Sequence, residues 1–176
     1  VNAPASPAPR PVQAAPALAP AAARPALSGA LPGREDAAKR EPTPKELGLA
    51  MAGLWPGLET SAKSYLGTPY VWGGVTHKGI DCSAFTQNSY GENKVGIPRV
   101  SRQQWKTGDN IAWSDLREGD LVFFNTMGVG VSHVGMVVEA RGPRFMHASS
   151  SRGVVKDELS KNYYKTRYMG ARRIVP

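Results

Sequence analysis

The chain has 176 residues, with 22 Lys and Arg against 14 Asp and Glu and a formal net charge of +8 at pH 7. That length holds one hydrophobic core and a tail, and excludes two full domains. A single cysteine excludes an internal disulfide framework, and no apolar run approaches the roughly 20 residues that span a bilayer.

Residues 1–45 carry ten of the 15 prolines and 14 alanines, and no aromatic side chain precedes Trp55. Such a segment cannot bury enough apolar surface to offset its conformational entropy, so it reads as a disordered, semi-extended linker. The chain opens on Val1 without a charged-then-apolar leader, and is expected to be a processed or truncated product whose signal or anchor is out of view. From residue 47 onward there are 16 basic and 10 acidic residues. This excess favours an anionic partner. There is no run of five basic residues and no nucleic-acid motif, so no nucleic-acid partner is expected.

After Pro42 and Pro44 the composition changes. The spacing predicts a short helix over 46–54, ended by Trp55-Pro56-Gly57. A second follows over 58–66, with Leu58, Ala62, Tyr65 and Leu66 on one face and Gly67 as its stop. A third is expected over 82–93 with Asp81 or Cys82 near its N-cap, and a fourth over 101–106 capped by Ser101. The period then becomes strand-like. Strands are expected over 121–124, 132–139, 144–148, 153–155 and 168–175, with turns at Gly128-Val129-Gly130 and Arg141-Gly142-Pro143. Helices first and strands afterwards give an α+β fold with an antiparallel sheet. The sequence shows no internal repeat.

The lone Cys82 follows a glycine-rich aromatic turn and opens an apolar run. At the first turn of a helix a thiol feels the positive end of the helix dipole, which is expected to lower its pKa and raise its thiolate fraction. The bland alternative is a small buried hydrophobe. His133 and His147 sit in strand-like segments on either side of the Arg141-Gly142-Pro143 turn. Adjacent antiparallel strands can bring two such rings together on one face. Taken singly, each histidine fits a satisfied core or surface residue. Jointly, a helix-start cysteine, a strand histidine and a polar residue on the next strand match a nucleophile, its base and the group that orients the base. A cysteine with two histidines could also ligate zinc, but no second close ligand pair exists, so no metal is expected. His77 lies in a polar loop and reads as surface.

Residues 58–175 resemble the NlpC-type family of papain-like cell-wall cysteine peptidases. The resemblance rests on Gly67-Thr68-Pro69-Tyr70-Val71-Trp72-Gly73-Gly74, Asp81-Cys82-Ser83-Ala84-Phe85, Pro98-Arg99 with Ser101, and the stretch from Leu116 through Gly119-Asp120-Leu121-Val122-Phe123-Phe124. Ser132-His133-Val134-Gly135-Met136 and His147-Ala148-Ser149-Ser150 complete it, in the family's order. One departure is Ala84, where glycine is more usual after the Cys-Ser pair; a methyl there suits a helix. The resemblance implies a papain-like domain over 46–176 with Cys82, His133 and His147 as its triad. It implies that Tyr70 lies beside the nucleophile as an oxyanion donor, and that Asp81 and Ser83 bind the free amine of a stem peptide. Arg99 and Ser101 would contact a substrate carboxylate. Plain packing for Tyr70, helix capping for Asp81 and a solvated charge for Arg99 are the competing structural readings.

The activity implied is a peptidoglycan endopeptidase cutting between γ-D-glutamate and the diamino acid of the stem peptide. No cofactor is required, and a monomer is expected. The location implied is the periplasm or cell envelope, as a lipoprotein or a secreted enzyme, with the Pro/Ala segment as a tether to a membrane. The alternatives are a papain-like amidase or acyltransferase on another acyl substrate, and a non-catalytic wall-binding module.

Overall fold

The computed structural model describes residues 44–175, with side chains from residue 53. The linker expected over 1–45 lies outside the described residues, apart from Pro44 and Lys45 at the start of the first helix. That helix, α1 (Pro44–Ser64), is continuous and contains Pro56. The two helices expected on either side of Pro56 are therefore one. An interior proline forfeits a backbone hydrogen bond at about 3 kcal/mol. Here Leu58, Ala62 and Tyr65 are buried, and Leu54 and Trp55 pack against the same core, so tertiary burial outweighs the break. Gly67 adopts φ +79 three residues past the helix end, where its N–H donates to the Val154 oxygen at 2.9 Å, so it closes the turn that follows the helix and is not the C′ residue. Among the described residues no helix is long and apolar enough to cross a membrane.

A two-residue hairpin, β1 (Val75–Thr76) and β2 (Gly79–Ile80), leads directly into α2 (Cys82–Gly91). His77 occupies its exposed turn and stacks on Tyr65 with ring centroids 4.0 Å apart. A short helix α3 (Ser101–Gln104) follows. Its N-cap is Val100 and not Ser101, which is the buried first helical residue. The sheet has six strands: β3 (Asp109–Ile111), β4 (Leu121–Phe124), β5 (His133–Glu139), β6 (Arg144–Ser149), β7 (Gly153–Glu158) and β8 (Tyr168–Arg173). Their order is β3-β8-β4-β5-β6-β7, antiparallel throughout. The hairpin β1–β2, the strand β3, the last three residues of β7 and a one-turn helix α4 (Asn162–Lys165) were not expected from the periodicity.

Alternation along β4 explains why the sheet is covered on both faces. Leu121 and Phe123 join the core under α1 and α2, while Val122 and Phe124 join a second cluster with Val137, Phe145, Leu159 and Tyr164. The protein is thus α+β, and the helical layer lies against β5 and β6, the strands that carry the two histidines.

Candidate active site

Asp81 fixes the start of α2. Its backbone is extended (φ −95, ψ 172) and its carboxylate accepts from the Ala84 N–H at 2.8 Å, which makes Cys82 the first helical residue. The same carboxylate accepts from the Gly73 N–H at 3.1 Å and from the Ser83 hydroxyl at 3.1 Å. Arg99 donates to both of its oxygens, at 2.9 and 2.6 Å, and also to the Ser83 hydroxyl at 2.9 Å. Every acceptor site of Asp81 is spent. Burial alone would raise its pKa, but the Arg99 and Ala84 donors outweigh that and hold it below the usual carboxylate range. Arg99 is therefore a fixed ion-pair partner and not a solvated charge.

Cys82 is 8% exposed. Burial pushes its thiol up to about 11, against the pull of the Val134, Ser83 and Cys82 backbone amides around the sulfur. The lowered pKa expected from the helix start is not found, because one helix dipole is worth less than the loss of solvent around a buried thiolate. Tyr70 lies near enough to feel charge on Cys82 and Asp81. Burial first, and those charges second, raise its phenol pKa, so its hydroxyl remains a donor.

The two histidines come from the sheet. On β5, Gly135 leaves no room for a side chain: a Cβ there would lie 2.6 Å from the Phe145 ring, 2.8 Å from the Met146 oxygen and 3.0 Å from the His147 Cβ. This close approach lets His133 and His147 meet, with His133 Nε2 2.8 Å from His147 Nδ1. The His147 ring stacks on Phe145 at 4.7 Å and is 2% exposed. Its Nε2 lies 3.1 Å from Asp157 Oδ2 and 3.1 Å from the Tyr164 hydroxyl. The Tyr164 O–H itself donates to Asp157 Oδ2 at 2.7 Å.

These contacts assign the protons. Hydrogen bonds from Arg152, Lys161, Tyr164 and His147 overcome the burial of Asp157 and hold its carboxyl far below the usual range, so it is ionised and can only accept. The proton of Tyr164 is already given to Asp157. His147 must therefore carry its proton on Nε2, leaving Nδ1 to accept from His133 Nε2–H. His133 then keeps a lone pair on Nδ1, the one ring nitrogen of the two histidines without a hydrogen-bond partner among the described residues. Burial, with His147 adding to it, pushes His133 down to about 3. Burial likewise lowers His147 despite the opposing Asp157 carboxylate. A neutral imidazole with a free Nδ1 lone pair can accept a thiol proton and later return it to a leaving amine.

Tyr70, Trp72, His133, His147, Ser149 and Tyr164 are among the walls of an open cleft of about 320 Å³. Cys82, Asp81, Ser83, Arg99 and Ser101 are not among its lining residues: Cys82, Asp81, Ser83 and Ser101 are buried, and Arg99 is held on the Asp81 carboxylate. Asp157 and Tyr164 are absent from the expected site. The expected strand stopped at Val155, but β7 continues to Glu158. Its alternation Val155, Asp157, Leu159 was the available signal, a carboxylate on a strand face otherwise apolar.

A family model described as the NlpC/P60 family matches residues 67–173. The chain is 40% identical over 116 residues to a gamma-DL-glutamyl hydrolase of Bacillus subtilis (strain 168), covering 64% of this chain and 27% of that protein. It is 37% identical over 119 residues to the probable endopeptidase NlpC of Escherichia coli (strain K12), covering 67% of this chain and 77% of the relative. A crystal structure of an NlpC/P60 family protein from Bacillus cereus ATCC 10987 superposes with a TM-score of 0.64 at 35% identity, over 69% of this chain and 40% of that one. The chain thus spans about a quarter of the first relative's length and most of the second's.

Proposed function

The chain belongs to the NlpC/P60 family, and from that premise we propose that residues 46–176 are a cysteine endopeptidase acting on peptidoglycan stem peptides in the cell envelope. The bond cut is the amide between γ-D-glutamate and the diamino acid, a reading supported by the relative named a gamma-DL-glutamyl hydrolase. The observation that carries the proposal is the line from His133 through His147 to Asp157, whose proton order leaves His133 Nδ1 free as a base.

In this mechanism Cys82 gives its proton to His133 Nδ1 as its sulfur attacks the scissile carbonyl carbon. The oxyanion is met by the Tyr70 hydroxyl and by backbone N–H groups at the start of α2, where the helix dipole favours negative charge. His133, now an imidazolium, gives the proton to the leaving amine, and the acyl-enzyme forms. Water, activated by the same nitrogen, resolves the thioester and restores the thiol. His147 orients His133 and needs no change of protonation. No step calls for a metal or an organic cofactor.

Asp81, Ser83 and Arg99 form one ion-paired group beside the nucleophile. A substrate ammonium reaches Asp81 by displacing the Arg99 guanidinium, one cation for another, with the Ser83 hydroxyl as a second partner. Gln104 supports this group from α3, donating to the Ser83 carbonyl oxygen at 3.0 Å. The Pro/Ala-rich segment acts as a tether, and the basic domain surface favours an anionic wall.

The test is a digest of purified muropeptides and intact sacculi with wild type beside Cys82→Ala, read by mass spectrometry. Fragments from wild type alone, with masses that place the cut after γ-D-glutamate, are the expected result. Equal release by Cys82→Ala, or no release from either substrate by wild type, would overturn the reading.

A further inference from the structure

Beyond the two histidines, the cleft wall continues into a second recess of about 380 Å³. Ser149, Ser150, Tyr163 and Tyr164 line both, and Arg152 and Lys161 stand on the far wall of the second. Both cations are anchored on buried Asp157: Arg152 through its guanidinium and Lys161 through one N–H at 2.8 Å. The Asp157 side chain is 2% exposed, while those of Arg152 and Lys161 are 50% and 53% exposed.

The charges do not cancel. One carboxylate faces two cations, so the wall carries a surplus of one positive charge. Arg152 also has N–H donors beyond those that face Asp157, and Lys161 has two. Asp157 has no capacity left for another cation, since His147, Tyr164, Arg152 and Lys161 already surround it. It therefore presets the two basic groups at no further ordering cost when a ligand arrives.

We propose that this recess binds a carboxylate of the stem peptide, held by Arg152 and Lys161 on the His147 side of the cleft. The proposal rests on the endopeptidase reading above and names a binding group for that substrate. A single carboxylate matches the surplus of one charge and the planar fork of Arg152. A γ-linked glutamate leaves its α-carboxylate free a few bonds from the scissile amide, and a diamino acid keeps a carboxylate on the other side. Either is within a short reach of the reacting carbonyl.

The test uses the full chain and three synthetic stem peptides: one with both carboxylates free, and two with one carboxylate converted to the amide. Rates are measured for wild type, Arg152→Gln and Lys161→Gln, each checked for an unchanged thermal transition. For wild type, kcat/KM should fall about 10- to 100-fold on one of the two amidated peptides, the loss of one charge-assisted contact. Which peptide is affected identifies the carboxylate. Both variants should lose a similar factor on the free-acid peptide, mostly in KM, and discriminate little between it and the amide. A role confined to steadying Asp157 would instead lower kcat on all three peptides alike, and would overturn the proposal. So would a wild type that cuts all three equally, or variants that keep the full preference for the acid. If wild type cuts none of the three, the endopeptidase reading falls and takes this proposal with it.

Discussion

Asp157 sets the tautomers of both histidines from one bond beyond His147, and its removal has a specific consequence. In Asp157→Ala, His147 Nε2 loses its ionised acceptor at 3.1 Å. At the same time the Tyr164 O–H, which now donates to Asp157, becomes free to donate to His147 Nε2 at 3.1 Å. That favours the opposite tautomer, in which His147 Nδ1–H donates to His133 Nε2 and the His133 proton moves to Nδ1. His133 can then no longer accept from the thiol. A hydrogen bond to a charged group is worth about 1.5–3 kcal/mol, so kcat should fall about 10- to 100-fold at 1.4 kcal/mol per decade. KM should change much less. Because the fault lies in a misplaced donor, adding Tyr164→Phe should restore part of the lost kcat, although it removes a second buried polar group. The assay is kcat on a stem peptide for the two single variants and the double, with thermal unfolding as a control. A double variant slower than Asp157→Ala, or a kcat for Asp157→Ala within about two-fold of wild type, would refute the proton order and with it the role of Asp157 as a positioning residue.

Other consequences are open to direct measurement. Gly135→Ala should cost about 1–3 kcal/mol by overpacking and abolish activity, since the added methyl would force β5 away from Phe145 and His147; a stable, active variant would contradict the close approach. Asp120→Ala should destabilise by about 3 kcal/mol in chemical denaturation, because Arg173, which donates to both Asp120 oxygens at 2.8 Å and whose side chain is 12% exposed, loses its charge partner and keeps, among the described residues, just the Asp115 carbonyl. Iodoacetamide should label native Cys82 more slowly than a free thiol at pH 7, because burial pushes it up to about 11; rapid labelling with an apparent pKa below 8.5 would refute this. Because the folded-state pKa values of His133 and His147 are lowered, the unfolded chain binds protons below about pH 6.5 that the folded chain refuses. Stability should therefore fall as pH drops from 6.5, by up to about 1.4 kcal/mol per pH unit for each histidine, and His147→Gln should make that slope shallower in urea titrations at several pH values.

The parts of this protein written in local chemistry were legible before the structure. Asp81 at the N-cap, Gly67 in the turn past the helix end and the Val/Phe alternation of β4 each follow from short-range rules. Pro56 misled because a local rule met a tertiary one: the residues on either side of it pack on a common core, and that burial keeps α1 whole. The short pairs β1–β2 and β3–β8 carry too few residues to show a period, and exist because neighbouring chain supplies their partners. In the site, the juxtaposition of His133 and His147 could be anticipated from the tight turn between their strands. For the Asp157 cluster the alternation of β7 marks only the carboxylate; its partners could not be anticipated, since Arg152, Lys161 and Tyr164 come from a loop and the start of α4 that no sequence spacing links to it. The thiol was misjudged for a similar reason. The helix dipole is visible in a sequence, whereas the burial that outweighs it depends on β5 and its Val134 amide packing over the sulfur.

That burial bears on when the nucleophile is made. Burial pushes the thiol up to about 11 and the His133 imidazole well down, so each group taken by itself holds its uncharged form. Burial therefore disfavours charge on either group before substrate arrives. In the mechanism proposed above the proton then moves as sulfur attacks carbon, so that the negative charge passes onto the carbonyl oxygen instead of remaining on a buried sulfur. Stabilisation of that oxygen then governs the barrier, which gives Tyr70 its weight. A phenol whose pKa is raised by burial and by charge on Cys82 and Asp81 stays protonated, and it donates more strongly as an oxyanion forms nearby. On this account Tyr70→Phe should lower kcat about as much as loss of one oxyanion donor does elsewhere, roughly 100-fold or more, while leaving the slow labelling of the resting thiol unchanged. If the pair were ionised at rest, removing the Tyr70 hydroxyl would instead alter thiol labelling and thiolate absorbance in the free enzyme, because the charge it serves would already be there.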